Sequence, residues 1–196
     1  MKQITVVILT GLCALAQQAQ PYSIKQDILG ESLESYRNNN SEKIGKGVLA
    51  SKRDCTIKSK MSVDSYGVSY CKTDSFGANL TYAGLPVNIK GVYFLHDRLF
   101  RVSYVMGSDF YESFKLSMAE KFGQPSAVDS MNLQNGFGAK FTGEKITWRN
   151  AVSTIVLQQY WTDRKTSLLT FSLDELQKEV DEKRTAAREA KATKDM

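Results

Sequence analysis

The sequence predicts an α+β fold, an antiparallel sheet with helices packed on one face, and suggests two helix-plus-three-strand units followed by a C-terminal helix. Three observations carry this. Tyr93 and Leu95 alternate with Val92 and Phe94 before the polar turn His96-Asp97-Arg98, and Phe100, Val102, Tyr104 and Met106 recur every second residue on the return, the mark of a hairpin with one buried face. Phe110, Phe114, Met118 and Phe122 recur every fourth residue, which lines up one stripe of a helix. Strand signals gather after each of two helical segments rather than alternating with helices, as antiparallel connections require.

At the start of the chain, residues 1–16 read as a cleavable signal peptide: Lys2 is the only charge, the run 4–16 is apolar, and Ala14-Leu15-Ala16 supplies small residues for cleavage. That run is shorter than the ~20 residues needed to cross a bilayer. Cys13 raises lipid attachment as an alternative, but bulky Leu12 stands where lipoprotein processing wants a small residue. The expected layout is therefore a leader 1–16, a single α+β domain 17–172, and a C-terminal helix 173–196 that is amphipathic and then solvated.

With 26 Lys and Arg against 21 Asp and Glu, the net charge is +5, and acids interleave with bases along the chain. Nucleic-acid binders cluster their cations instead, so no nucleic-acid partner is expected. Of 3 cysteines, Cys13 leaves with the leader. Cys55 and Cys71 then form an even pair in an exported chain, where a disulfide is the expected outcome. Closing that loop adds about 3 kcal/mol by restricting the unfolded chain. The spacing is unlike Cys-x-x-Cys and no histidine is near in sequence, which argues against a redox or metal pair.

Within the domain, Leu29, Leu33 and Tyr36 recur at helical spacing, and Asn38-Asn39-Asn40 ends that short helix. Residues 41–60 read as a loop. Strands are expected over 67–71, 79–87, 91–95 and 99–106. Ser108 is placed to cap the next helix, and Gly123 and Pro125 to stop it. Residues 126–138 read as loop, with a turn at Asn135-Gly136. Strands follow over 139–148, 152–161 and 167–171, with Ile155, Leu157 and Trp161 on one face. Ser172-Leu173-Asp174-Glu175 reads as a capping box opening the last helix, whose apolar side is Leu173, Leu176 and Val180.

Catalytic signals are weak. The one histidine, His96, falls in a hairpin turn, and adjacent Asp97 points away from it on extended chain. Gly45-Lys46-Gly47-Val48-Leu49-Ala50 fits a dinucleotide fingerprint formally, but it follows no buried strand. The carboxylate pairs Glu31 with Glu34 and Asp174 with Glu175 sit at helix starts, where acids complement the dipole. No cofactor, metal site or catalytic residue is expected. Aromatics are frequent on the strands, and most belong to the core. Both faces of the 91–106 hairpin carry them, which makes Tyr82, Tyr93 and Tyr104 the candidate interaction surface.

Two segments, Phe94-Leu95-His96-Asp97-Arg98-Leu99-Phe100-Arg101-Val102 and Lys121-Phe122-Gly123-Gln124-Pro125, resemble a pattern of small exported bacterial proteins. The layout is similar to the small outer-membrane assembly lipoproteins and to the β-lactamase inhibitor protein. That resemblance implies units that pair a helix with a short antiparallel sheet, and it transfers no activity to particular residues. The expected function is a non-enzymatic periplasmic or secreted module binding another envelope or extracellular protein. A small extracytoplasmic hydrolase and a structural envelope protein are the alternatives.

Overall fold

A computed structural model describes residues 20–24, 27–41, 55, 61–74, 80–134 and 136–194. The expected leader 1–16, the segment 45–50 and nearly all of the loop 41–60 lie outside the described residues. A two-stranded ribbon, β1 (Ser23–Ile24) with β2 (Asp27–Ile28), leads into α1 (Leu33–Ser41). Then come β3 (Ser62–Val63), β4 (Ser69–Asp74), the ribbon β5 (Thr81–Tyr82) with β6 (Leu85–Pro86), β7 (Ile89–Leu95) and β8 (Arg98–Gly107). A 3-10 turn (Ser108–Phe110) opens α2 (Tyr111–Phe122), followed by β9 (Ala127–Gln134), β10 (Lys140–Arg149), β11 (Ser153–Gln158), β12 (Thr166–Leu173) and α3 (Asp174–Lys194).

Among the described residues the main sheet has eight strands, all antiparallel, in the order β3-β4-β7-β8-β12-β11-β10-β9. This order is a palindrome of two halves. Each half begins with a helix, lays its first strand at an outer edge and brings its last strand, β8 or β12, to the centre. Each half therefore holds four main-sheet strands where the sequence suggests three, and the extra strand is the edge one. Edge strands escape sequence reading for a physical reason. β9 is paired on one side by β10 and exposed along most of its length, so it never acquires the alternation that burial of one face imposes.

Strand registers fix which side chains share a face. Cys71, Val92, Val102, Phe171, Ile155 and Trp148 are successive partners across the sheet, and all are buried. Against this inner face lie Tyr36 of α1, edge-on to Phe94, and Phe114, Met118 and Phe122 of α2. Cys55 is joined to Cys71 with their Cα atoms 5.5 Å apart, so the disulfide ties the 55 region to the inner face of β4. Asp27, buried beneath the ribbon β1-β2, accepts from Lys90 Nζ at 2.8 Å and from Tyr104 Oη at 3.2 Å, which anchors that ribbon to β7 and β8.

Several local expectations are corrected. Ser108 does not cap α2: it begins the 3-10 turn, and its hydroxyl donates to the Arg164 carbonyl. The apolar stripe accordingly shifts, with Tyr111 buried and Phe110 partly exposed. Ser172 does not cap α3 either, because β12 runs on to Leu173 and the Ser172 hydroxyl donates to the Thr154 carbonyl. The span expected as one strand over 79–87 is a tight ribbon whose turn, Ala83-Gly84, has positive φ at both residues. Ladder pairing of β11 with β12 stops at Gln158, so Trp161 does not share the inner face of Ile155 and Leu157.

The hairpin turn at His96-Asp97 is seen as expected, both residues having positive φ, the geometry of a tight two-residue turn. α3 crosses the sheet end that carries this turn. Leu176 and Val180 are buried, Arg98 Nη1 donates to Glu175 at 2.6 Å, His96 contacts Glu179 at 2.8 Å, and Arg184 approaches Asp64 and the Tyr66 ring. Lys183 and then His96 hold the Glu179 carboxyl below its ordinary range. Beyond Val180 the helix is mostly exposed. Among the described residues no helix is long and apolar enough to cross a membrane.

Candidate functional site: the outer sheet face

Alternation sends every second residue away from the helices, and this outer face collects an unusual mixture. Tyr70, Tyr93, Arg101, Ser172, Thr154 and Arg149 form one row across it, while Lys72, Gly91, Ser103, Thr170, Val156 and Thr147 form the next. Large side chains thus stand beside very small ones. The small ones leave hollows.

One hollow of about 160 Å³ lies among Lys72, Gly91, Tyr93, Arg101, Ser103 and Trp161. Gly91 has a steric role here: a Cβ at that position would sit 2.7 Å from Ser103 Oγ and 2.9 Å from Tyr93 Oη. Its absence lets the Tyr93 ring lie back along the sheet, where it stacks with Tyr70 at 6.1 Å between centroids. The Arg101 guanidinium stands 5.6 Å from the Tyr93 centroid, within cation–π range. Trp161 reaches the same hollow because the chain has left the β11 ladder. Its backbone N–H donates to the Thr166 carbonyl at 3.0 Å, and the side chain is 43% exposed.

A second hollow, of about 340 Å³, lies on the other side of Arg101, floored by Val156, Leu168, Thr170 and Ser172 and bounded by Arg149 and Gln177 of α3. Arg101 divides the two. Its Nε donates to Gln177 Oε1 at 2.9 Å and its Nη2 donates to the same oxygen. Burial, and then the neighbouring Arg184, lower its pKa, yet a guanidinium remains charged. Arg149 is more exposed and lies 3.9 Å from Asp174. From the turn between β11 and β12, Arg164 covers the rings of Phe141 on β10 and of Tyr160.

Of the residues expected to form an interaction surface, only Tyr93 lies on this face. Tyr82 and Tyr104 are corrected to core residues, 2% and 5% exposed. The Ala83-Gly84 turn folds Tyr82 inward against Tyr104, Phe114 and Phe171, and Tyr104 occupies an even position of β8 beside Val102 and Met106, which face the helices. Burial raises the pKa of both phenols, with Asp27 adding to the rise at Tyr104. Arg101, Arg149 and Lys72 are not among the interaction residues expected from the sequence, and Trp161 is expected there on the face of Ile155 and Leu157 but lines the outer hollow. The signal for Arg101 was present, since it lies in the polar phase of β8 directly opposite Tyr93.

A separate polar cluster joins α2 to β10. Glu144 Oε2 accepts from Lys115 Nζ at 2.7 Å and from Tyr111 Oη at 2.8 Å. The Lys115 bond, helped by Tyr111, holds the Glu144 carboxyl below its ordinary range, while burial and then Glu144 raise the Tyr111 phenol. Glu144 is thus a fixed anion engaged in packing. Of the carboxylates paired in the sequence, Glu31 accepts from Ile28 N–H, Ser35 and Asn39, and Glu175 accepts from Arg98.

Fold and face together define an α+β sheet protein with α1 and α2 on one side, α3 across one end of the sheet, and a cationic, aromatic surface on the other side. Set against protein-family models, curated proteins and solved structures, the chain matches none of them.

Proposed function

We propose that this chain is an extracytoplasmic, non-enzymatic module that binds another protein on its outer sheet face. The observation that carries the reading is the grouping of Tyr93, Arg101 and Trp161 around one hollow of the outer sheet face, with Tyr70 stacked on Tyr93 and Arg101 bordering a second hollow. Binding hot spots favour tyrosine, tryptophan and arginine held rigidly and partly desolvated. Stacking on Tyr70 and the Gly91 recess preorder Tyr93, and Gln177 preorders Arg101, so little side-chain entropy is lost when a partner arrives. The disulfide supports action in an oxidising compartment, which agrees with residues 1–16 acting as an export signal.

The test is affinity capture from the envelope and secreted fractions of the source cells, using the wild-type chain beside a Tyr93→Ala/Trp161→Ala variant. The reading requires a protein retained by wild type and lost by the variant while the variant's far-UV circular dichroism is unchanged. A partner retained equally by both, or none retained by wild type, contradicts it.

A further inference from the structure

Cations outnumber acids on the outer face. Lys72, Arg101, Lys145 and Arg149 occupy its strand positions and Arg164 lies over its rings, against Asp74 on β4, Asp129 on β9 and Asp174 of α3 at the rim of the larger hollow. Lys72 and Lys145 form no ion pair among the described residues, and the Arg149–Asp174 pair is long and exposed. Such a pair contributes at most about 1 kcal/mol and yields readily to a better partner.

Spacing narrows the occupant. Arg101 and Arg149 occupy the same row, with Ser172 and Thr154 between them on β12 and β11. Three strand intervals of about 4.8 Å separate their backbones by roughly 14 Å. An extended peptide rises about 3.3–3.4 Å per residue, so side chains at i and i+4 lie roughly 13–14 Å apart and point the same way. The residue at i+2 then falls over the larger hollow, whose floor includes Val156 and Leu168.

We propose that the outer face docks an extended acidic segment of the partner protein that crosses the central strands. Carboxylates at i and i+4 pair with Arg101 and Arg149, and an apolar side chain at i+2 enters the hollow between them. This deepens the function proposed above and rests on it. The segment lies across the strands and does not add to an edge, so recognition depends on side chains of the face and leaves the ladder unchanged.

The probe is a fluorescein-labelled peptide Gly-Ser-Glu-Ser-Phe-Ser-Glu-Ser-Gly, followed by anisotropy against the purified chain. Saturable binding that weakens with added salt is expected. Arg149→Ala, a change at an exposed side chain, is expected to weaken it about tenfold, as is Arg101→Gln, and moving the second glutamate one position along is expected to do the same. Absence of binding, or equal binding to Arg149→Ala, overturns the proposal. Displacement of the peptide by an acidic polysaccharide, combined with indifference to glutamate spacing, also overturns it, in favour of a general polyanion surface. These outcomes are separable from failure of the function itself: a captured protein that depends on Tyr93 and Trp161 but a peptide that does not bind refutes only the acidic-segment inference.

Discussion

Replacing Phe171 with alanine removes the ring at the seam between the two halves. Phe171 is fully buried on β12, opposite Val102 of β8, and its ring lies 5.8 Å from Tyr82, 6.4 Å from Tyr104 and 6.1 Å from Phe122. Truncating a buried phenylalanine costs about 3–5 kcal/mol, the transfer term plus the cavity left behind. The rings around it belong to the β5-β6 ribbon, β8 and α2, elements that cannot all move inward together, so about 4 kcal/mol is expected. With a urea m-value near 2 kcal/mol per molar for a domain of this size, the unfolding midpoint should fall by roughly 2 M. The assay is equilibrium unfolding followed by far-UV circular dichroism, which senses both halves, and by emission of Trp148, buried at 1% exposure in the second half, read in a Trp161→Phe background. Coincident curves with the lowered midpoint are expected, because β8 and β12 make the halves one cooperative unit. A midpoint shift under 0.5 M, or curves that separate, would refute the reasoning that the central pair joins them.

Three further outcomes follow from the same structure. Cys55→Ser is expected to lower stability by about 3 kcal/mol in oxidising buffer and to have little effect in excess reductant, measured by the same urea titration. Lys90→Met leaves Asp27 buried beside Tyr104 without its cation and is expected to cost about 3–5 kcal/mol, whereas Asp27→Asn with Lys90→Met recovers part of that loss. Alkaline pH should destabilise the fold. Tyr82 and Tyr104 have raised folded-state pKa values, so above pH ~10 the unfolded chain loses phenolic protons that the folded chain keeps. Their contribution is complete below pH ~10 and declines as pH rises toward the folded values, by about 1.4 kcal/mol per pH unit for each phenol; thermal melts between pH 9 and 11 check the sign.

Elements that bury one whole face could be read in the sequence. The recurrence of Phe100, Val102, Tyr104 and Met106 along β8 and the four-residue spacing of α2 come directly from burial against the inner face, and the positive-φ turn at His96-Asp97 follows from a polar pair between two apolar-rich runs. What escaped were features set by tertiary context. β9 has no buried face to pattern it, and Ser108 and Ser172 satisfy distant carbonyls where a local motif suggested helix caps.

At the site, the aromatic residue type was legible but its side was not always assigned. The alternation that places Phe100, Val102 and Met106 inward carries Tyr104 with them, and it places Arg101 outward beside Tyr93. Tyr82 depended on a turn at Ala83-Gly84 that leaves only a two-residue strand, too short for any period to show. Trp161 depended on where the β11 ladder ends, which side-chain pattern does not report.

Hydroxyl-radical footprinting of the chain, alone and mixed with its captured partner, measures the binding face directly. Protection concentrated at Tyr93 and Trp161, with exposed Leu116 of α2 and Ile28 of β2 modified equally in both states, is the result the account predicts. Protection at Leu116 and Ile28 with Tyr93 and Trp161 unchanged would place the partner on the helical side and contradict it.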